Sequence, residues 1–252
     1  MTIDITVLGC SGSHTGPGSV CSGYLYETDA ASVMVEAGNG SSANLQRYTE
    51  IADLDAVVVS HRHVDHCIDL IGMYYALRFG QGGPNQVPLY AHRSVIDMLT
   101  GILSGDSALE FREAFDIREI SAGDTFEVND LRFELYPSVH PVPTLSMRIA
   151  ADDAVVAYSA DSAGGSDLLD CAEGSDLFVC EATWQGDQSE WPEGIHLTAR
   201  SAGRLATQAG VNRLALTHVL GGTDRERSLE EAQETFSGEL LVAQDNHIWS
   251  VG

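Results

Sequence analysis

The segment His61-Arg62-His63-Val64-Asp65-His66 places four residues of metal-binding type within six positions. It directly follows Ala56-Val57-Val58-Val59-Ser60, an apolar and mostly β-branched run that predicts a buried strand. A tight loop after that strand can turn all four side chains toward one point. Imidazole and carboxylate together suit zinc, and also manganese or iron. A polar surface turn that is rich in histidine by chance is the alternative, and four clustered ligand-type residues make it the weaker one.

Three more residues of the same kind follow apolar runs elsewhere in the chain: His140, Asp161 and His218. A single histidine after a strand is more often a hydrogen-bonded structural residue. Three such strand ends beside a four-residue cluster instead favour a metal site. The residues therefore predict metal-assisted hydrolysis.

Strand and helix patterns alternate along the chain and must position these residues. The patterns predict strands at residues 3–8, 23–27, 32–36, 56–60, 88–91, 125–128, 131–136, 145–150, 155–158, 177–181, 213–217 and 240–243, and helices at 41–50, 68–79, 93–103, 198–210 and 228–236. We expect an α/β fold of αββα type, in which two sheets of mainly antiparallel strands stack face to face and helices cover both outer sides. Without a linker or a low-complexity segment, residues 1–252 are expected to form a single domain.

Composition limits the classes of partner. The chain has 252 residues and a formal net charge of −24, and all 13 of its basic residues are arginine. Such a charge repels long nucleic acids, whereas bound divalent ions can still attract a small anion locally. The sequence has neither an apolar stretch long enough to cross a membrane nor a signal peptide, which predicts a cytoplasmic protein. Five scattered cysteines predict neither disulfides nor a thiolate zinc site.

The pattern His-x-His-x-Asp-His, followed by His140, by Asp161 in Tyr158-Ser159-Ala160-Asp161-Ser162, and by Thr217-His218, resembles the metallo-β-lactamase superfamily over essentially the whole chain. Glu181-Ala182-Thr183-Trp184 and His196-Leu197-Thr198 are similar to elements of its ribonuclease Z-like phosphodiesterase branch. Within that branch, the opening Val7-Leu8-Gly9-Cys10-Ser11-Gly12-Ser13 is most similar to the atypical class II cyclic nucleotide phosphodiesterases.

The resemblance implies the αββα fold and two divalent metal ions, with zinc expected and manganese or iron as alternatives. It implies that one ion takes His61, His63 and His140, that the other takes Asp65, His66 and His218, and that Asp161 bridges them. Two such ions can hold a hydroxide between them and clamp the oxygens of a phosphodiester. Asp65, His196 and Glu181 are the implied catalytic residues. His196 is the candidate acid for the leaving alkoxide and Glu181 the carboxylate that orients it, although a helix cap or a surface ion pair is the alternative for Glu181.

Departures from ribonuclease Z narrow the expected substrate. Residues 141–160 leave no room for the long tRNA-gripping arm that the ribonuclease usually inserts there, and residues 15–19 lack its Lys and Arg. These absences favour a small phosphodiester, in particular a 3′,5′-cyclic nucleotide that yields a nucleoside 5′-monophosphate, over tRNA 3′ processing. The alternatives are a carboxylic ester, lactone or thioester hydrolase, a promiscuous phosphotriesterase or arylsulfatase, and a non-catalytic metal-binding scaffold.

Several residues keep open roles. His14 reaches either the pocket or only solvent, and His92 and His247 are expected to serve structure or surface. Trp184 lies close enough to Glu181 to line the pocket and stack a base or aryl group, although core packing is the usual role of tryptophan. The resemblance further implies a homodimer.

Overall fold

The computed structural model describes residues 1–80 and 86–252 of the chain. In chain order, its strands are β1 (Ile3–Gly9), β2 (Ser11–Gly12), β3 (Gly23–Glu27), β4 (Ser32–Val35), β5 (Ala56–Val59), β6 (Val87–Ala91), β7 (Phe115–Glu119), β8 (Thr125–Val128), β9 (Leu131–Pro137), β10 (Leu145–Ala151), β11 (Ala154–Tyr158), β12 (Leu177–Glu181), β13 (Arg213–Thr217), β14 (Val219–Leu220), β15 (Glu239–Val242) and β16 (Ile248–Val251). Its α-helices are α1 (Ser41–Leu45), α2 (Val64–Cys67), α3 (Asp69–Phe79), α4 (Arg93–Ile102), α5 (Gly105–Ala114), α6 (Ser166–Ala172), α7 (Ala199–Ala209) and α8 (Arg225–Gln233), and short 3-10 helices cover Ile51–Asp53 and Gln188–Glu190.

Two large sheets form the centre of the molecule. Within the described residues each has seven strands, in the order β16-β1-β3-β4-β5-β6-β7 and β15-β13-β12-β11-β10-β9-β8, and β14 pairs with β2 in a small third sheet. Buried side chains such as Tyr26, Val58, Phe133 and Val156 fill the space between the large sheets. Helices α1 and α3–α5 cover the outer side of the first sheet, and α6–α8 cover the second. The predicted αββα sandwich is confirmed.

The strands are mixed rather than mainly antiparallel, which corrects the sequence prediction. β4, β5, β6 and β7 run parallel to one another, and so do β11, β12, β13 and β15. In the chain, a helix lies between the two strands of each parallel pair. Such a crossover carries the chain back to the end of the sheet where the first strand began, so the next strand runs in the same direction. The other half of each sheet is made of antiparallel pairs.

Several predicted boundaries differ from the structure. The first helix ends at Leu45 instead of continuing to residue 50. Its amino end is held by the Asp69 carboxylate, which accepts hydrogen bonds from the backbone of Gly40 and from Ser42, so the cap comes from α3 and not from the local serines. Helix α5, missed from sequence, buries only Phe111 fully and therefore has little hydrophobic periodicity.

No helix in the described part of the chain is long and apolar enough to span a membrane. The five cysteines are buried and free of disulfides, as predicted.

Helix α7 packs closely at Gly203 against the carboxyl end of α8 and the residues that follow it. A Cβ added there would lie 2.5 Å from Thr235 Oγ1 and 2.6 Å from the Ala232 carbonyl oxygen. We therefore expect Gly203→Ala to lower the free energy of unfolding by about 1–3 kcal/mol through overpacking. Gly72→Ala in α3 is the matched control, since its Cβ would meet open space and alanine is the better helix former. Thermal denaturation of both variants measures the difference, and equal midpoints would contradict the close packing.

Candidate metal centre

Most of the predicted site residues lie at the carboxyl ends of strands. The segment 61–66 follows β5, Asp161 follows β11 and His218 follows β13, while Glu181 is the last residue of β12. Parallel strands present their carboxyl ends at one edge of a sheet, where such folds place ligands. His140 reaches the same place from the turn between β9 and β10, and the short helix α2 carries Asp65 and His66.

His61, His63 and His140 form one group of converging nitrogen atoms. His63 Nδ1 lies 3.0 Å from His61 Nε2 and 3.1 Å from His140 Nε2. Asp161 Oδ2 completes the group at 3.6 Å from His61 Nε2 and 3.7 Å from His140 Nε2. Nitrogen ligands of a tetrahedral zinc ion lie roughly 3.3 Å apart, so these spacings suit unprotonated nitrogens that share an ion. A hydrogen bond would instead require a proton on one nitrogen of each pair.

Asp65, His66 and His218 form a second group beside the first. His66 Nε2 and His218 Nε2 are 3.2 Å apart, and Asp65 Oδ2 lies 3.1 Å from the latter atom. Asp161 also faces this group, with Oδ1 at 3.1 Å from His66 Nε2 and 3.3 Å from His218 Nε2. The structure thus brings all seven predicted ligands together in the two sets that the resemblance implies, and their binding of metal remains a prediction.

The Asp161 carboxylate lies between the two groups with one oxygen toward each. It is 2% exposed, and its Oδ1 has no hydrogen-bond partner within the described residues. A buried carboxylate oxygen without a partner is costly. The two clusters are therefore consistent with a dinuclear metal site in which an ion on each side satisfies Asp161.

Hydrogen bonds on the far side of two imidazole rings fix their tautomers. His140 Nδ1 donates to the Ile195 carbonyl at 2.9 Å, so the neutral ring has its lone pair on Nε2. Thr183 Oγ1 donates its only proton to Glu181 Oε2 at 2.7 Å and therefore accepts from His218 Nδ1 at 2.8 Å. In its neutral form, each ring therefore has its lone pair on the Nε2 atom that faces the centre, as in ligating histidines.

Glu36 is a site residue that the sequence analysis missed. It is fully buried and comes directly after β4, the neighbour of β5. Its Oε1 lies 3.2 Å from His66 Nδ1, although without hydrogen-bond geometry, and its Oε2 accepts from the Ser60 backbone at 3.1 Å. Glu36 thus lies against the Nδ1 edge of the His66 ring, on the side away from the converging Nε2 atoms. The signal that finds it is the one that found His61, a polar side chain at the end of a buried strand.

Electrostatics favour neutral rings at His61 and His140 and an ionised Asp161, but not a neutral His66. Burial lowers the pKa of His61 and of His140, so both rings are neutral at pH 7. Burial by itself raises the pKa of Asp161, but the charges of His218 and His66 outweigh it and the net shift is downward. Asp161 is therefore an ionised carboxylate. Burial lowers the pKa of His66, but the charges of Asp161 and Glu36 outweigh it and the net shift is upward, so this ring would have to lose a proton when a metal binds.

The loop after β1 also contacts this centre. The Ser13 backbone donates to Asp65 Oδ2 at 2.7 Å. A Cβ at Gly12 would lie 2.7 Å from His218 Nδ1, so only glycine lets this loop pass the ring. The neighbouring His14 is exposed, and its ring Nδ1 bonds to the Thr15 carbonyl rather than to a residue of the centre.

His196 and Glu181 lie beside the two groups as a hydrogen-bonded pair. His196 Nδ1 donates to Glu181 Oε1 at 2.8 Å, and Glu181 is fully buried, which excludes a surface ion pair. Burial lowers the pKa of His196, but the hydrogen bond and charge of Glu181 outweigh it and the net shift is upward. His196 Nε2 has no hydrogen-bond partner within the described residues, and 12% of the side chain is exposed. This nitrogen can therefore carry a proton to a bound molecule.

The remaining aromatic and histidine candidates have structural contacts. His92 accepts a hydrogen bond from the Ser94 backbone as the cap of α4, and His247 is exposed. Trp184 stacks on Trp191 with 5.0 Å between ring centroids and is 9% exposed, so of the two roles left open by sequence, core packing describes it better.

Comparisons with known proteins agree with this architecture. Residues 32–219 match the family described as beta-lactamase superfamily domain. The chain is 34% identical to an uncharacterised protein of Mycobacterium leprae (strain TN), over 94% of this chain and 85% of that protein. It is 29% identical to the probable metallo-hydrolase YhfI of Bacillus subtilis (strain 168), over 97% and 98% of the two chains.

One solved structure and a ribonuclease Z extend the comparison. The crystal structure of YhfI superposes with a TM-score of 0.88 at 27% identity and covers 99% of each chain. Ribonuclease Z of Methanopyrus kandleri is 27% identical over 88% of both chains. The strand order, the converging His and Asp residues and the family match lead to one conclusion: the chain belongs to the metallo-β-lactamase superfamily.

Proposed function

We propose that this protein is a dinuclear metal-dependent phosphodiesterase that hydrolyses small phosphodiesters, in particular 3′,5′-cyclic nucleotides, to phosphomonoesters. The observation that carries the proposal is the Asp161 carboxylate, which offers one oxygen to each of two histidine groups beside the His196–Glu181 pair. The similarity to the probable metallo-hydrolase of Bacillus subtilis and to a ribonuclease Z supports hydrolysis and phosphodiester chemistry respectively.

The ligand set is proposed to hold two zinc ions. His61, His63 and His140 would hold one, Asp65, His66 and His218 the other, and Asp161 both. Such ions, when bound, supply charge that offsets the phosphodiester and lowers the pKa of a water molecule. Zinc fits because five of the seven proposed ligands are imidazoles, which suit this ion.

The residues around the centre would handle the proton of the leaving group. His196, charged and held by Glu181, can donate the proton on Nε2 to the departing alkoxide oxygen. Glu181 keeps the ring oriented because its other oxygen is fixed by Thr183 Oγ1 at 2.7 Å. An alkoxide needs this proton far more than a stable phenolate does.

Substrate size follows from what lies around His140. Strands β10 and β11 form a direct antiparallel hairpin between His140 and Asp161, so no long arm is inserted there. With the net charge of −24, this hairpin favours a small diester over tRNA.

Removal of the bridging charge should reduce metal content. We expect the wild type to retain about two zinc ions per chain after dialysis, and Asp161→Asn to retain at most one, because an amide has only one ligating oxygen. Asp170→Asn, an exposed acid on α6, is the matched control. Inductively coupled plasma mass spectrometry gives the stoichiometry, and two ions in Asp161→Asn would contradict the bridging role.

The acid role of His196 predicts an effect that depends on the leaving group. We expect the zinc-loaded wild type to hydrolyse cyclic AMP and bis(p-nitrophenyl) phosphate. His196→Gln should lower kcat for cyclic AMP by roughly 10²- to 10⁴-fold. It should change kcat for the p-nitrophenyl ester by less than about tenfold, since p-nitrophenolate leaves without a proton. His247→Gln, an exposed histidine, should change neither rate.

Each failure has a distinct meaning. Equal losses on both substrates would remove the acid role of His196 and leave the phosphodiesterase assignment intact. Hydrolysis of a carboxylic ester or lactone but of no phosphodiester would show that the alternative activity is the correct one.

A further inference from the structure

Two tryptophan rings extend outward from the proposed acid. Trp184 meets His196 edge to face, with ring centroids 5.2 Å apart and an interplanar angle of 87°. Trp191 stacks on Trp184 at 5.0 Å and 10°. The three rings therefore form a row of successive contacts, from His196 through Trp184 to Trp191.

The outer ring of this row is exposed but held in place. Trp191 is 37% exposed, whereas Trp184 is 9% exposed. Trp191 Nε1 donates to the Gln185 carbonyl at 2.8 Å, which fixes the ring on one edge. Because Trp184 covers one face, the exposed area of Trp191 comes from its other face and free edges. A fixed, half-open indole loses little entropy when another ring stacks on it.

Neighbouring contacts fix the segment that carries these rings relative to His196. The Gln188 side chain donates to the His196 carbonyl at 2.9 Å and accepts from the Thr198 backbone at 2.9 Å. The Trp184 backbone donates to the Leu197 carbonyl at 3.1 Å. The tryptophan row is thus held in a fixed position beside the proposed acid.

We infer that Trp191 is the binding surface for a planar aromatic ring carried by the leaving alcohol of the substrate, as in a nucleoside or an aryl-substituted alcohol. This inference rests on the proposed function, because the acid defines which side of the diester leaves. Base–aromatic stacking suits a ring of either kind, since every base presents a π-face. Specificity would then lie in the aromatic group and not in the phosphate.

Ligand binding without turnover tests this inference. The probes are AMP, phenyl phosphate and ribose 5-phosphate, titrated calorimetrically into the zinc-loaded full chain. We expect AMP to bind the wild type more tightly than ribose 5-phosphate, and Trp191→Ala to weaken AMP binding by roughly 5- to 150-fold while leaving ribose 5-phosphate unchanged. Trp191→Phe keeps a ring and should retain most of the affinity for AMP.

The control and the outcomes separate this inference from the proposed activity. Phe79→Ala removes an aromatic side chain that is 70% exposed at the far end of α3, and it should change no affinity. If phenyl phosphate but not AMP binds more tightly than ribose 5-phosphate, the aromatic ring that Trp191 binds would be restricted to an aryl group. Equal affinities of the wild type for all three probes, or unchanged AMP binding in Trp191→Ala, would overturn the inference even if phosphodiesters are hydrolysed. Trp191-dependent AMP binding without hydrolysis would instead overturn the proposed function alone.

Discussion

The burial of one carboxylate between two sets of imidazole rings is the interaction on which the rest of the site depends. Asp161 is nearly inaccessible, and four histidine Nε2 atoms approach its two oxygens at 3.1 to 3.7 Å. A buried carboxylate is unfavourable unless positive charge compensates it on each side. The histidines around Asp161 come from both sheets, since His61 follows a strand of one sheet and His218 a strand of the other. In each sheet the parallel strands present their carboxyl ends at the edge where these residues lie.

A second carboxylate joins the proposed metal centre to the proposed acid. Glu181 accepts from His196 through one oxygen and from Thr183 through the other, and Thr183 in turn accepts from His218. One buried side chain therefore orients the acid and, through a hydroxyl, a ligand. These hydrogen bonds give a physical reason for the spacing of Glu181 and Thr183 at the end of β12. A surface role for Glu181 would instead require an exposed side chain.

The sandwich and the seven candidate ligands could be predicted from the sequence because both depend on local signals: apolar strands, and polar residues directly after them. It did not reveal Glu36, which looks like the last residue of a strand until the contact with His66 across neighbouring strands is seen. Helix α5 was missed because only Phe111 is fully buried, and the parallel pairing of β4 to β7 depends on contacts between distant segments. The role of Trp184 stayed open because sequence cannot show that Trp191, seven residues later, covers one face of its ring.

The proposed hydrolysis takes place at the centre, His196 supplies the proton for the leaving group, and the ring row beside it selects the substrate. All three depend on two ions being held by the two groups that share Asp161. The most direct test is X-ray absorption spectroscopy at the zinc edge of the zinc-loaded protein. A dinuclear site predicts nitrogen and oxygen ligands and a zinc–zinc distance of about 3.5–4 Å. Fully loaded protein with isolated zinc ions and no second zinc at that distance would contradict it.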